Sequence, residues 1–216
     1  MKVQVVEDIL SANEQLALKN RRLFDEKDVF VLNIMAAPGA GKTSVIESII
    51  EALGGQARVG MVDGDVASTI DADRVARLGV PAVQINTGGA CHLDANMIAT
   101  ALPSLSLDEI DLLLVENVGN LICPTGFDLG EHLKVMIAST PEGDDKPYKY
   151  PGMFTAVDAL LLNKVDLLPL LDFDLDYFRH GVEVLNPGVP FFPLSCKTGE
   201  GVPEWTEWLV QRWQAG

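Results

Sequence analysis

The chain is 216 residues long and 48% apolar, enough to bury one full core, and its length argues for one compact domain. A formal charge of −15 leaves no basic stripe to neutralise phosphates, so a nucleic-acid surface is not expected and natural partners should be basic or metallic. Three cysteines make no disulfide framework and fit a reducing compartment, while no long uncharged apolar run marks a leader or a membrane span, so a cytoplasmic location off the membrane is expected.

In chain order, residues 6 to 24 place Val6, Ile9, Leu10, Leu16, Ala17, Leu23 and Phe24 at helical spacing with charges between them. That predicts an amphipathic helix over 1–28, packed on a domain over 29–216. From Val29 the texture changes to short β-rich apolar runs: VFVLNIM, ARVGMV, PAVQI, DLLLVE, KVMIAS, VDALLLN and VPFFPLS. Helix-like or Gly/Pro-rich segments separate them. Near-continuous apolar strands indicate burial on both faces, so the expected class is α/β, a mainly parallel sheet flanked by helices on both faces, with its site at the strands' carboxyl ends. The stretch from Cys123 to Tyr150 reads as irregular around one strand, with Pro124, Pro141 and Pro147 in it. Trp205, Trp208 and Trp213 read as a packing stripe on the last helix.

The segment AAPGAGKT, Ala36 to Thr43, follows an apolar strand and opens a helix, the context a phosphate-binding loop demands. Gly39 and Gly41 let the backbone turn its amides inward, with Ala40 and Ser44 beside them; Lys42 offers charge to the outer phosphates and Thr43 a hydroxyl to magnesium. The usual first glycine is Ala36 here, tolerable if φ stays below zero. Asn163-Lys164-Val165-Asp166 and Ser195-Cys196-Lys197 each close a strand. A carboxylate at Asp166 can accept both adjacent donors of guanine, a pair adenine lacks, so GTP is expected over ATP. Asn163 can brace the loop, the Lys164 stem can cover the base, and a backbone amide near Cys196 can donate to the guanine oxygen. Asp65 and Glu116 suit the magnesium shell, with Asp63 and Asp71 as competitors. No glutamine stands out to position water, so hydrolysis should be slow.

Cys91-His92 follows the glycine pair Gly88-Gly89, and Cys123 precedes Pro124. In a strand, Cys91 and His92 would point to opposite faces; a turn at the glycines lets both ligate. Two thiolates and an imidazole suit Zn²⁺ or Ni²⁺, and three donors leave an exchangeable position or a site shared across a two-fold axis. By spacing alone, small buried thiols and a hydrogen-bonded histidine are the favoured reading. His132 and His180 read as ordinary surface histidines.

The strings GACHLDA (89–95), ENVGNLICP (116–124), EGDDKPYKYP (142–151) and NKVDLLP (163–169) resemble the HypB family of hydrogenase nickel-incorporation proteins. That resemblance implies a P-loop NTPase of the SIMIBI GTPase branch that pairs two chains in response to GTP. It also implies delivery of nickel to [NiFe]-hydrogenase precursors, alongside a nickel-delivery partner protein. It assigns Zn²⁺ or Ni²⁺ to Cys91, His92 and Cys123, magnesium to Thr43, Asp65 and Glu116, and guanine to Asn163, Lys164 and Asp166. Lys42, Asp65 and Glu116 then carry the hydrolysis. Residues 1 to 30 hold neither cysteine nor histidine, unlike relatives with an N-terminal metal cluster. The alternatives are a urease-type nickel accessory GTPase, whose motif resembles Cys-Pro-His where this chain has Cys123-Pro124-Thr125, a metal-binding module using nucleotide only structurally, and a P-loop kinase.

Overall fold

The computed structural model describes residues 5–64 and 79–215, with side chains from Ala12 onward; Asp65, Asp71 and the side chains of Val6, Ile9 and Leu10 lie outside them. A leading helix α1 (Val5–Glu26) precedes β1 (Phe30–Ala36), α2 (Lys42–Leu53), β2 (Val59–Asp63) and β3 (Ala82–Gln84). Then follow α3 (Ala95–Ala101), β4 (Leu112–Glu116), β5 (Leu133–Ser139), α4 (Lys146–Lys149) and α5 (Pro151–Thr155). The described chain ends with β6 (Ala159–Asn163), α6 (Leu175–Leu185), β7 (Phe191–Pro193) and α7 (Val202–Ala215). All seven expected apolar runs form strands of one sheet, ordered β3-β2-β4-β1-β5-β6-β7, and every pairing is parallel.

Alternation along the strands explains the layers. On β1, Phe30, Leu32, Ile34 and Ala36 pack with α2 and α7, where Trp205 is fully buried and Trp208 and Trp213 lean against it. Val31 faces the α1 and α3 layer, and Met35 faces α5 and α6. The inner strands are buried on both faces as expected, but β3 and β7, being edges, keep partial exposure. The stretch after Cys123 is less irregular than its prolines predict. It is built from a 3₁₀ turn at Cys123–Gly126, a capping box in which Ser139 and Glu142 satisfy each other, and α4. Among the described residues no helix is long and apolar enough to cross a membrane.

A polar seam crosses the apolar layer under α1. Asn33, in mid-β1 and fully buried, donates to Glu131 Oε1 at 2.9 Å and accepts from Asn117 Nδ2 at 3.2 Å. Asn13 Oδ1 accepts from the Ala95 amide at 2.9 Å and its Nδ2 donates to the Asp128 carbonyl at 2.9 Å. Asn20 donates to the Ala95 and Leu129 carbonyls at 2.8 and 3.0 Å. Unmet buried polar groups cost about 1–3 kcal/mol each, so these bonds fix the seat of α1 against α3 more sharply than apolar contact alone. Gly130 (φ 96°) lets the chain pass under α1: a Cβ there would sit 2.6 Å from the Ala17 carbonyl. His132, expected to be a surface residue, is half-buried. Its Nδ1 accepts from the Val31 amide at 3.0 Å, its Nε2 lies 3.0 Å from Asp25, and its ring stacks on Phe30.

Burial, aided by neighbouring Asp128, pushes the Glu131 carboxyl from its ordinary value near 4.5 to about 7, against the pull of Asn33 and Lys134. The folded chain therefore holds a proton that the unfolded chain releases, and this contribution to stability is lost as pH rises from about 4.5 through about 7. Its ceiling is roughly 3 kcal/mol. Glu131→Gln should flatten the fall in the urea midpoint between pH 5.5 and 8 relative to the unsubstituted chain. Equal pH slopes for the two proteins would contradict this.

Candidate nucleotide and metal site

Helix α2 starts at Lys42 directly from the loop, its N-cap Gly41 at φ 101° and Gly39 at φ 77°, both left-handed. A methyl at Gly41 would collide with Asn163 Nδ2, so glycine is required there for contact as well as for φ. Ala36 ends β1, fully buried and without positive φ, which is how the loop accepts alanine at that corner. Asn163, closing β6, braces the loop: Nδ2 donates to the Ala40 carbonyl at 3.0 Å, while Oδ1 accepts from the Lys164 amide at 2.8 Å and the Cys196 amide at 3.4 Å. Lys164 (φ 64°) donates from Nζ to the Gly39 carbonyl at 2.5 Å, so its stem spans the loop. The Cys196 amide, near which a donor to the guanine oxygen is expected, lies 3.4 Å from Asn163 Oδ1.

Asp166 Oδ1 accepts from the Ser195 hydroxyl at 2.7 Å, and Lys197 Nζ lies 3.9 Å from Oδ2. Ser195 is fully buried, so it reaches the site through Asp166. These residues, with Gly41 and Ser44, line a cavity of about 270 Å³. Burial pushes the Cys196 thiol up; its sulfur lies 3.8 Å from Ser48 Oγ.

At the phosphate end, Thr43 Oγ1 donates to Glu116 Oε1 at 3.3 Å. Glu116 ends β4 and pairs in register with Asp63, ending β2, so two buried carboxylates end neighbouring strands; Lys42 is buried as well. Asp63, held as a competitor on sequence grounds, is thus at the phosphate end of the sheet. Gly119 touches the loop closely: a Cβ there would meet Pro38 Cγ at 3.1 Å and Lys42 Nζ at 3.3 Å.

Gly88 (φ 61°) and Gly89 (φ 92°) make the turn that brings Cys91 and His92 to one side. One donor atom each from Cys91, His92 and Cys123 lie within 4.8 Å of one another, and Cys91 Sγ is 3.4 Å from His92 Nδ1. Asn120 Oδ1 shapes the other arm, accepting from the Ile122 and Cys123 amides at 2.8 and 3.4 Å. The hydrogen bond to Cys123, then burial, raises the Cys91 thiol, while burial lowers His92 despite Asp94. A neutral imidazole is ready to donate its lone pair, and the thiol must lose its proton to do the same. The His92 ring lies against Phe127 at 3.9 Å. Leu93, the next residue, is fully buried, and Asp94 caps α3 by accepting from the Met97 amide at 2.7 Å.

Sequence reasoning singled out the loop, the base-side residues and the three soft donors, and the structure brings each group together. It placed Asn117 only at the start of the loop leading to Cys123 and gave this fully buried residue, between Glu116 and Val118, no role of its own. Its place directly after a strand-ending carboxylate was the available signal.

Residues 30–193 match the family model described as CobW/HypB/UreG, nucleotide-binding domain. The chain is 48% identical over 210 residues to the hydrogenase maturation factor HypB of Azotobacter vinelandii, covering 97% of this chain and 69% of that protein. It superimposes with a TM-score of 0.90 on the crystal structure of HypB from Helicobacter pylori in complex with nickel, at 35% identity, covering 94% of this chain and 96% of that one. In fold alone it resembles the signal recognition particle receptor FtsY of Elizabethkingia anophelis, with a TM-score of 0.52 and 19% identity over 86% of this chain and 64% of that one. A seven-stranded parallel sheet, a matching domain model and relatives aligned over nearly all of this chain agree: the chain belongs to the HypB family of hydrogenase maturation factors.

Proposed function

We propose that this chain binds GTP, hydrolyses it slowly to GDP and phosphate, and uses nucleotide state to set its hold on a nickel or zinc ion. In this reading it pairs with a second copy when GTP is bound and helps load nickel into a hydrogenase large-subunit precursor, receiving the ion from a nickel-delivery protein. The 1–28 helix and the 29–216 GTPase domain act as one unit.

The observation that carries the reading is proximity. Three soft donors and the phosphate loop stand at the same end of the sheet, joined by the segment from Glu116 to Cys123, whose Gly119 rests on Pro38 and Lys42. Oxygen donors at Thr43 and Glu116, 3.3 Å apart, fit a hard cation such as magnesium. Magnesium bound there supplies charge neutralisation on the outer phosphates. Asp65 belongs to that shell in the same proposal. Lys42 adds the loop's own cation, Gly39 to Ser44 cradle the phosphates, and Asn163, Lys164, Asp166, Ser195, Cys196 and Lys197 form the guanine side. Cys91, His92 and Cys123 grip the cargo through soft donors.

Phosphate release tests the catalytic half. Turnover of GTP with magnesium should run below about one per second, the low end for efficient phosphoryl transfer, and ATP should not be consumed. Equal consumption of ATP, or transfer of phosphate to an acceptor other than water, would overturn it.

A further inference from the structure

We propose that Asn117 is the positioning residue through which the phosphate end of the sheet holds the Cys91-His92 arm of the metal site. This rests on the proposed link between nucleotide state and metal grip, and names the part that carries it. The geometry is local and fully buried. Asn117 follows Glu116, and its backbone amide donates to the Ile34 carbonyl of β1 at 3.0 Å, so its position is fixed by the sheet. Its side-chain Oδ1 accepts from the Val118 amide at 2.9 Å and, across 24 residues, from the Leu93 amide at 3.0 Å. Its Nδ2 donates to Asn33 Oδ1, which fixes which way the amide faces.

Leu93 is the residue after His92. Its side chain is fully buried against Gly64, where a Cβ would lie 2.6 Å from Leu93 Cδ1 and Cγ. Gly64 in turn donates its amide to the Glu116 carbonyl at 2.9 Å. The arm that carries Cys91 and His92 is therefore pinned by its next residue to the ends of β2 and β4, the two strands that present Asp63 and Glu116. Two residues beyond Asn117, Gly119 packs on Pro38 and Lys42 of the phosphate loop. A shift of Val118-Gly119 on exchange of triphosphate for diphosphate has to move or break the Asn117 bonds, because one carbonyl oxygen serves both Val118 and Leu93. The imidazole, one residue from Leu93, then moves relative to Cys123, and the spacing of the donors changes. This second path to the metal is separate from the covalent one that leads from Gly119 to Cys123.

The test is nickel titration, with nickel ion alone as probe, of the full chain loaded with GDP or with a non-hydrolysable GTP analogue. The unsubstituted chain should separate the two states by about tenfold in nickel affinity, within the range usual for allosteric coupling. Asn117→Ala should keep one nickel per chain and nucleotide affinities within about threefold, while the gap closes to less than about twofold. A full gap in Asn117→Ala overturns the assignment and leaves the nucleotide–metal link standing. No gap in the unsubstituted chain overturns both. Should Asn117→Ala fail to fold or lose nickel altogether, amide exchange at Leu93 in the unsubstituted chain decides: about a fivefold or larger change between nucleotide states supports the proposal, and identical rates overturn it.

Discussion

Asp166→Asn is expected to weaken GTP by about 10²–10⁴-fold, because two charge-assisted bonds of roughly 1.5–3 kcal/mol each are lost together. In the proposed pose the carboxylate accepts from guanine N1-H and the 2-amino group. An amide there keeps one acceptor and turns a donor toward a donor. The local structure should survive: the substituted side chain would still offer its carbonyl oxygen to the Ser195 hydroxyl, now 2.7 Å from Asp166 Oδ1. That orientation directs the new NH₂ group to the base, so a base with a carbonyl at position 2 becomes the better partner. Xanthosine triphosphate should therefore regain much of the affinity that GTP loses. Titration of both nucleotides against both proteins checks this, and equal GTP affinity in the two would remove Asp166 from base recognition.

Loss of a thiol should have an effect of similar size on the other half of the site. Cys91→Ala or Cys123→Ala removes one of three soft donors clustered within 4.8 Å. Nickel and zinc affinity should fall by more than the ~10–100-fold that follows loss of a mere outer-shell partner. GTP affinity should stay within about threefold, since no atom of either cysteine lines the base-side cavity. Metal binding at unchanged stoichiometry and affinity in both variants would show that these thiols are packing residues.

Much of this was legible because the signals were local. The AAPGAGKT loop sits between β1 and α2, where loop chemistry and strand–helix context agree. The apolar runs became strands because parallel strands buried on both faces have no alternation to obscure. What stayed hidden depends on pairs of residues far apart in sequence. Asn33 looked like one polar interruption of an apolar strand, and only the fold places it between Glu131 and Asn117. His132 lacks a nearby partner in the chain, yet folding sets it against Asp25 and Phe30, more than a hundred residues earlier. Cys91, His92 and Cys123 were nominated by chemistry, but their approach follows from β3 and β4 flanking β2, so that the loops after both strands meet at one end of the sheet.

The most direct test of the account is a nickel titration of the unsubstituted chain with GDP and with a non-hydrolysable GTP analogue, with molar mass recorded alongside. The account predicts nickel affinities that differ by about tenfold between the two states, with the mass doubling in the triphosphate state. Identical affinities and an unchanged mass would contradict it, leaving a protein in which the nucleotide serves the fold and the metal site stands alone.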